Sequence, residues 1–128
     1  MKRRFNRARG KSYSRPKVGA MNKTEQAYAE LLNERIALGE VIAWRYESIT
    51  FRLADNTRYT PDFEVQLSDG TLEFHEVKAC RASGAFLCED DARVKWKVAA
   101  EMFGEFGWLM CGRLPRKSGG GWRIEQIG

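Results

Sequence analysis

The sequence predicts an α/β fold of the α+β type, in which a small mixed β-sheet is flanked by helices. The chain has 128 residues, of which 43% are hydrophobic and 30% are charged, an ordinary composition for one globular domain. Apolar residues at helical spacing precede and follow a group of strand-like segments. The resulting order is helix, three or four strands, helix, two strands. A strong turn signal, Ser68-Asp69-Gly70, joins two of these strands into a hairpin.

The first helix has signals at both of its ends. It is expected to begin near Asn22 or Thr24, because Asn22 can cap the backbone and Glu25 stands at the reciprocal position of a capping box. Gly39 is expected to end the helix, since glycine readily adopts the left-handed conformation found after helix C-termini. The predicted buried stripe consists of Ala27, Leu31, Leu32 and Ile36.

Alternating and β-branched residues predict strands in the middle of the chain. The predicted strands are residues 41–46, 49–53, 63–67 and 72–78, with a turn at 54–57 and a loop at 79–87. A second helix is predicted over 92–103, capped by Asp90 or Asp91 and ended by Gly104. Its predicted buried stripe consists of Val94, Val98, Ala99 and Met102.

The C-terminal part is predicted to contain two more strands. Residues 108–111 are wholly apolar, which favours a central position in the sheet. Residues 115–121 form a basic, glycine-rich loop, and residues 122–127 form the last strand. Arg116 and Lys117 in that loop are candidate DNA contacts, and a merely solvated loop is the alternative.

Positive charge is concentrated at the start of the chain. The net charge is +5, and residues 1–21 hold eight basic residues and no acid, which leaves 14 basic against 17 acidic residues elsewhere. We expect residues 1–21 to form a flexible basic arm that contacts nucleic acid, and residues 22–128 to form the folded domain. The expected contacts in the arm are Arg3, Arg4, Arg7, Arg9 and Lys11. A solubilising tail is the alternative interpretation.

Two acidic residues and a lysine occur on the two arms of the predicted hairpin. Asp62 follows Pro61 at the start of one strand, while Glu76 and Lys78 lie two apart on the next and point to the same face. Carboxylate oxygens suit Mg²⁺ or Mn²⁺, which can activate a water and stabilise the charge that develops during phosphodiester hydrolysis. The backbone carbonyl of Val77 is the candidate third oxygen ligand, and Lys78 can orient or deprotonate the water.

The hairpin turn decides whether the two acids meet. A two-residue turn, Asp69-Gly70, pairs Phe63 with Glu76 and separates the acids. A three-residue turn with Gly70 in the left-handed conformation pairs Asp62 with Glu76 instead. We favour the three-residue turn because it assembles the site.

The order of these residues resembles that of the PD-(D/E)XK nuclease superfamily, and in particular a phage-associated family of Holliday-junction-resolvase-like endonucleases. Over residues 22–127 the resemblance rests on Glu25, Pro61-Asp62, Glu76-x-Lys78, Val94-Lys95-Trp96-Lys97 and Gly120-Gly121-Trp122. It implies a restriction-endonuclease-like core. It also implies a metal-dependent endodeoxyribonuclease that acts on branched or structured DNA in phage DNA processing.

The resemblance also implies a role for each site residue. Asp62 and Glu76 are expected to bind the metal, Lys78 to be catalytic, Glu25 to be an accessory ligand, and Lys95 or Lys97 to contact the phosphate. Cutting two symmetry-related strands implies a homodimer. The expected location is the cytoplasm, of the host if the protein is phage-encoded, with no small-molecule cofactor.

Other interpretations stay open. The chain could be a non-catalytic nucleic-acid-binding protein that retains the nuclease fold, or an interaction protein of replication or packaging machinery. Its three cysteines have no paired spacing, which favours reduced thiols and disfavours a zinc site with His75. His75 is expected to be structural, on the face opposite Glu76. No apolar run is long enough to predict a membrane span.

Overall fold

The computed structural model of the chain describes residues 20–88 and 90–127, and it confirms the predicted α+β fold. In chain order, the elements are α1 (Lys23–Ala37), β1 (Val41–Tyr46), β2 (Phe51–Ala54), β3 (Thr57–Tyr59), β4 (Phe63–Leu67), β5 (Leu72–Ala79), α2 (Asp90–Met102), β6 (Gly107–Arg113), a 3₁₀ helix (Arg116–Ser118) and β7 (Trp122–Ile127). The two helices and the last two strands occur in the predicted order, but five strands and not three or four lie between the helices, because β3 was not predicted.

One sheet contains five strands in the order β1-β4-β5-β6-β7, and β2 and β3 form a separate hairpin. Neighbours in the sheet are antiparallel, except that β5 and β6 are parallel and are connected through α2. Strand β6 lies between β5 and β7, and its residues Trp108 to Gly112 are all buried. The predicted interior position of this apolar strand is therefore confirmed.

Helix α1 has the predicted ends. The side chain of Asn22 accepts a hydrogen bond of 2.8 Å from the backbone N–H of Glu25, and Oε1 of Glu25 accepts one of 3.0 Å from that of Asn22. Gly39 follows the helix with a left-handed φ of 82°. The buried face differs from the prediction, because Tyr28 and Ala29 join Leu32 in it. Ile36 and Ala27 were predicted to be buried, but Ile36 is exposed and Ala27 is only half-buried.

Helix α2 also buries a different stripe from the predicted one. Trp96, Ala99 and Ala100 are buried, whereas Val94 and Val98 are 56% and 38% exposed. The prediction for the two valines was wrong because two overlapping stripes are present at helical spacing. The stripe with the tryptophan removes more apolar surface from water.

Strand β3 and its hairpin with β2 were not predicted from the sequence. Thr57 was assigned to a turn, but it already belongs to β3, and the turn consists of Asp55 and Asn56. Asn56 adopts a φ of 57°, a conformation that asparagine tolerates better than most residues. The hairpin packs Phe51 and Tyr59 into the core on the α2 side of the sheet.

The β4–β5 hairpin has the three-residue turn that the sequence analysis favoured. Phe63 pairs with His75, and the backbone N–H of Leu67 donates to the carbonyl of Thr71 at 2.9 Å. Residues 68–70 lie between that closing pair, with Gly70 at a left-handed φ of 91°. Continuing this register by one residue places Asp62 opposite Glu76.

Both faces of the sheet are covered, and neighbouring residues of β5 face opposite cores. The core on the α1 side includes Tyr28, Leu32, Tyr46, Phe63, Val65, Val77, Leu109 and Cys111. The core on the α2 side includes Phe51, Tyr59, Phe74, Trp96, Phe103, Trp108 and Met110. Since Val77 faces the α1 core and Phe74 the α2 core, Glu76 and Lys78 project to the α2 side.

The packed domain begins before α1. Met21, the last residue of the predicted arm, is only 3% exposed and belongs to the core on the α1 side. The predicted nucleic-acid contacts Arg3, Arg4, Arg7, Arg9 and Lys11 lie outside the described residues. Within the described residues, neither helix has the length and apolar character needed to span a bilayer.

Candidate active site

Asp62 and Glu76 lie side by side at the junction of β4 and β5. Asp62 immediately precedes β4, and its Oδ2 accepts a hydrogen bond of 2.8 Å from the backbone N–H of Val77. Asp62 and Glu76 are 9% and 6% exposed, respectively. The hairpin therefore holds two acidic side chains together in a largely buried position.

Burial and mutual repulsion make this pair costly to ionise. Burial raises the pKa of Asp62 to about 8, and the negative charge of Glu76 contributes to the same rise. The hydrogen bond from Val77 opposes the shift, because it favours the ionised carboxylate. A cation bound between the two groups would remove this electrostatic cost.

Both oxygens of Glu76 have partners within the chain. The hydroxyl of Tyr59 donates to Oε1 at 2.7 Å, and Nζ of Lys78 lies 3.2 Å from Oε2. Burial lowers the pKa of Lys78, but the charge and hydrogen bond of Glu76 outweigh it, so that the net shift is upward. Lys78 is therefore an ammonium in this arrangement, which suits it to orienting water or stabilising negative charge better than to accepting a proton.

Glu25 approaches the pair from the first turn of α1. Its Oε1 accepts hydrogen bonds from the backbone of Asn22 and from the hydroxyl of Tyr46, the latter at 2.8 Å. Glu25 thus serves as the N-terminal capping partner of α1. Its charge also contributes to the raised pKa of Asp62, so it lies within electrostatic range of the pair.

A further acid, Glu47, was not identified from the sequence. It directly follows β1, and its backbone N–H donates to the carbonyl of Asp62 at 2.8 Å. Burial raises the pKa of Glu47, and the charges of Glu25 and Glu76 add to the rise. Its φ of 47° is unusual for a residue other than glycine. The pairing of Tyr46 with Phe63 brings Glu47 next to Asp62. The proximity of Glu47 to the acid pair is therefore evident only once β1 is paired with β4.

His75 lies on the opposite face of β5 and belongs to a separate buried network. Its Nε2 contacts a carboxylate oxygen of Glu73 at 2.9 Å, and its Nδ1 contacts the hydroxyl of Tyr28 at 2.6 Å. Because a carboxylate can only accept, Nε2 carries the proton and Nδ1 accepts from Tyr28. Cys111 in turn donates its thiol to Tyr28 at 3.2 Å. These contacts support the structural role predicted for His75.

The remaining predicted DNA contacts lie on α2 and on the 3₁₀ helix. Lys95 and Lys97 lie two apart on α2, about 200° around the helix axis, so they point in different directions. Lys95 is half-buried and Lys97 is exposed. Arg116 and Lys117 lie in the 3₁₀ helix after β6, and both are exposed.

A groove of about 650 Å³ lies between α1 and the loop that joins β6 to β7. Ala79 and Cys80, which directly follow Lys78, line it together with Arg116 and with Glu30 and Glu34 of α1. The acid pair does not line this groove. Arg116 therefore lies at a cavity of mixed charge that is distinct from the carboxylates.

The residues of the acid pair fit a hard divalent cation. Among residues 20–88 and 90–127, no three histidine, cysteine or acidic side chains surround one point closely enough to form a complete ligand set. Mg²⁺ does not need such a set, because one or two carboxylates usually hold it and water fills the other positions. Asp62 and Glu76 could supply those two carboxylates.

Comparison of the chain with protein-family models, with curated proteins and with solved structures finds no match in any of the three.

Proposed function

We propose that the chain is a metal-dependent endodeoxyribonuclease of the PD-(D/E)XK type that hydrolyses phosphodiester bonds in branched or otherwise structured DNA. The observation that carries the proposal is the buried pair of Asp62 and Glu76, with the ammonium of Lys78 against the second carboxylate. Two buried carboxylates beside one lysine have a clear use in metal-assisted hydrolysis. As a purely structural arrangement they would reduce stability.

Each residue has a role that follows from its position. Asp62 and Glu76 would hold Mg²⁺ or Mn²⁺, which supplies an activated water and neutralises charge on the phosphate. Lys78 stabilises the negative charge that develops on the phosphate oxygens, since its ammonium lies at the edge of the pair. Glu25, fixed by Tyr46 and by the helix cap, provides a further carboxylate for a metal-bound water. The carbonyl of Val77 remains a candidate oxygen ligand.

The order of the elements supports the same class of enzyme. Helix α1 carries Glu25, Asp62 immediately precedes β4, and β5 carries Glu76 and Lys78. Helix α2 then carries Lys95 and Lys97, and β6 returns parallel to β5. This is the order on which the resemblance to PD-(D/E)XK nucleases rests. A restriction-endonuclease-like core is therefore part of the proposal.

The substrate class follows from charge. Residues 1–21 carry eight basic residues and no acid, so they would bind a polyanion. We infer DNA as the partner and a homodimer as the working form, because the resolution of a junction requires two symmetry-related cuts. Phage DNA processing in the host cytoplasm is the corresponding setting.

The test is cleavage of linear, single-stranded and four-way-junction DNA in Mg²⁺ or Mn²⁺, compared with EDTA. Wild type should cut the junction with the metal ion present, and Asp62→Asn should reduce the rate by about 100-fold or more. Asp55→Asn makes the same chemical change in the exposed β2–β3 turn and should leave the rate unchanged. Equal cutting by wild type and Asp62→Asn would rule out the assigned site.

A second candidate is a nucleic-acid-binding protein without catalysis. One observation favours it: Tyr59 and Lys78 together give both oxygens of Glu76 partners within the chain. This candidate predicts salt-sensitive DNA binding that does not depend on Mg²⁺. Deleting residues 1–19, which spares the buried Met21, separates the two. A binder would lose its function, whereas a nuclease would keep metal binding and residual cutting.

A further inference from the structure

The β2–β3 hairpin contributes a tyrosine that engages one particular oxygen of Glu76. The hydroxyl of Tyr59 donates to Oε1 at 2.7 Å, and both residues are buried. A phenolic hydroxyl is a neutral hydrogen-bond donor at physiological pH, so this contact engages Oε1.

The second oxygen of Glu76 is held by a partner that can leave. Nζ of Lys78 lies 3.2 Å from Oε2, at the end of a flexible four-carbon chain that is 27% exposed. A divalent cation carries twice the charge of this ammonium and prefers the same hard oxygen. The ammonium can move away without any change in the backbone of β5.

We propose that Tyr59 is a positioning residue: its hydrogen bond engages Oε1 of Glu76 and leaves Oε2 as the oxygen that a cation can bind. A divalent cation binds Oε2 by replacing the ammonium of Lys78. This inference rests on the proposed function, since it takes Asp62 and Glu76 as metal ligands. The replacement releases Lys78 toward the phosphate. Metal binding and the availability of the lysine are thereby coupled.

The first test measures Mn²⁺ affinity of the full chain at pH 8, by electron paramagnetic resonance of the free ion. Loss of a hydrogen bond that orients a metal ligand typically weakens affinity 10- to 100-fold, so Tyr59→Phe should raise the Kd by about 10-fold or more. Tyr28→Phe is the matched control. It removes an equally buried hydroxyl that hydrogen-bonds His75 on the other face of the sheet, and it should change the Kd less than about 2-fold.

The second test removes the competing ammonium. Lys78→Met should tighten Mn²⁺ binding by about 10-fold, because no ammonium then competes with the cation for Oε2. Arg58→Met removes one positive charge from the exposed face of β3, next to Tyr59, and should change the Kd less than about 2-fold. Weaker binding by Lys78→Met than by wild type would overturn the replacement.

The third test observes the lysine directly. Lysines labelled by ¹³C reductive methylation keep their charge and give separate NMR signals, and the Lys78 signal is the one absent from Lys78→Met. That signal should shift on saturation with Mg²⁺ in wild type. An unmoved signal, with Mg²⁺ bound, would show that the ammonium stays at Glu76 and would overturn the inference.

The outcomes distinguish this inference from the function on which it rests. If wild type fails to bind Mn²⁺, or if Asp62→Asn binds it equally well, the proposed function fails and the inference with it. If Asp62→Asn abolishes binding while Tyr59→Phe leaves the Kd within about 2-fold of wild type, only the positioning role of Tyr59 fails. Thermal unfolding of Tyr59→Phe and Tyr28→Phe without metal verifies that both variants are folded.

Discussion

The backbone N–H of Val77 donates a hydrogen bond of 2.8 Å to the carboxylate of Asp62. This bond ties the residue just before β4 to β5 at the point where Glu76 lies. It holds one buried acid beside another, although the pair repels when both are ionised. Holding the two carboxylates together therefore costs stability whenever both are ionised.

Asp62→Asn should therefore stabilise the metal-free protein at alkaline pH. Asp62 has a pKa of about 8 in the folded protein, whereas an aspartate in the unfolded chain has a pKa near 3.8. The stability of the wild-type protein therefore falls as the pH rises between these two values. Above pH 8 the variant should be more stable than wild type by about 2 kcal/mol or more, and below pH 4 the difference should vanish. Urea denaturation in EDTA at several pH values measures this. A variant that is less stable than wild type at pH 9 would contradict it.

Metal binding should stabilise the protein more at high pH than at low pH. A proton on Asp62 competes with the cation, and its folded pKa of about 8 means that the proton is lost mainly between pH 7 and 9. Saturating Mn²⁺ should raise the Tm by about 5 °C or more at pH 8.5, and by much less at pH 6. Differential scanning calorimetry measures both shifts. Asp62→Asn serves as the control and should show little shift at either pH.

The two fully buried tryptophans should respond differently to the same substitution. Nε1 of Trp108 donates to the carbonyl of Phe103 at 2.9 Å, whereas Nε1 of Trp96 has no hydrogen-bond partner among the described residues. Trp108→Phe removes one of the two hydrogen bonds that the carbonyl of Phe103 accepts, the other coming from the backbone N–H of Phe106 at 3.1 Å, while Trp96→Phe removes an unpaired donor. Trp108→Phe should therefore destabilise the protein by about 1–2 kcal/mol more than Trp96→Phe. Equal losses in chemical denaturation would refute this difference.

Gly112 should not tolerate a side chain. It pairs with Lys78 across β5 and β6, and a Cβ at this position would lie 2.1 Å from Sγ of Cys80 and 2.7 Å from the ring of Phe86. Gly112→Ala should displace the loop that follows Lys78 and destabilise the protein by about 2 kcal/mol or more. Gly104→Ala is the control, since its Cβ would meet nothing closer than 3.6 Å. Similar unfolding midpoints for the two variants would contradict this prediction, because they would show that the loop after Lys78 can move at little cost in stability.

Local chemistry explains what could be predicted. The ends of α1 follow from Asn22, Glu25 and Gly39, whose interactions lie within a few residues of the helix. Strands β1 and β7 have the predicted bounds, and the three-residue turn around Gly70 is observed. For that turn the sequence allowed two registers. The choice between them relied on the requirement that Asp62 and Glu76 meet.

The sequence by itself determined the order of the elements except β3, the caps of α1 and the identity of the acid pair and Lys78. Only the tertiary structure decided that Tyr59 and Glu47 reach the pair, because their positions depend on the β2–β3 hairpin and on the pairing of β1 with β4. It also decided that α2 buries Trp96 and not Val94, since either stripe has helical spacing. The physical reason is range: caps and turns form between neighbours in the chain, whereas packing and strand pairing join residues that the chain itself keeps apart.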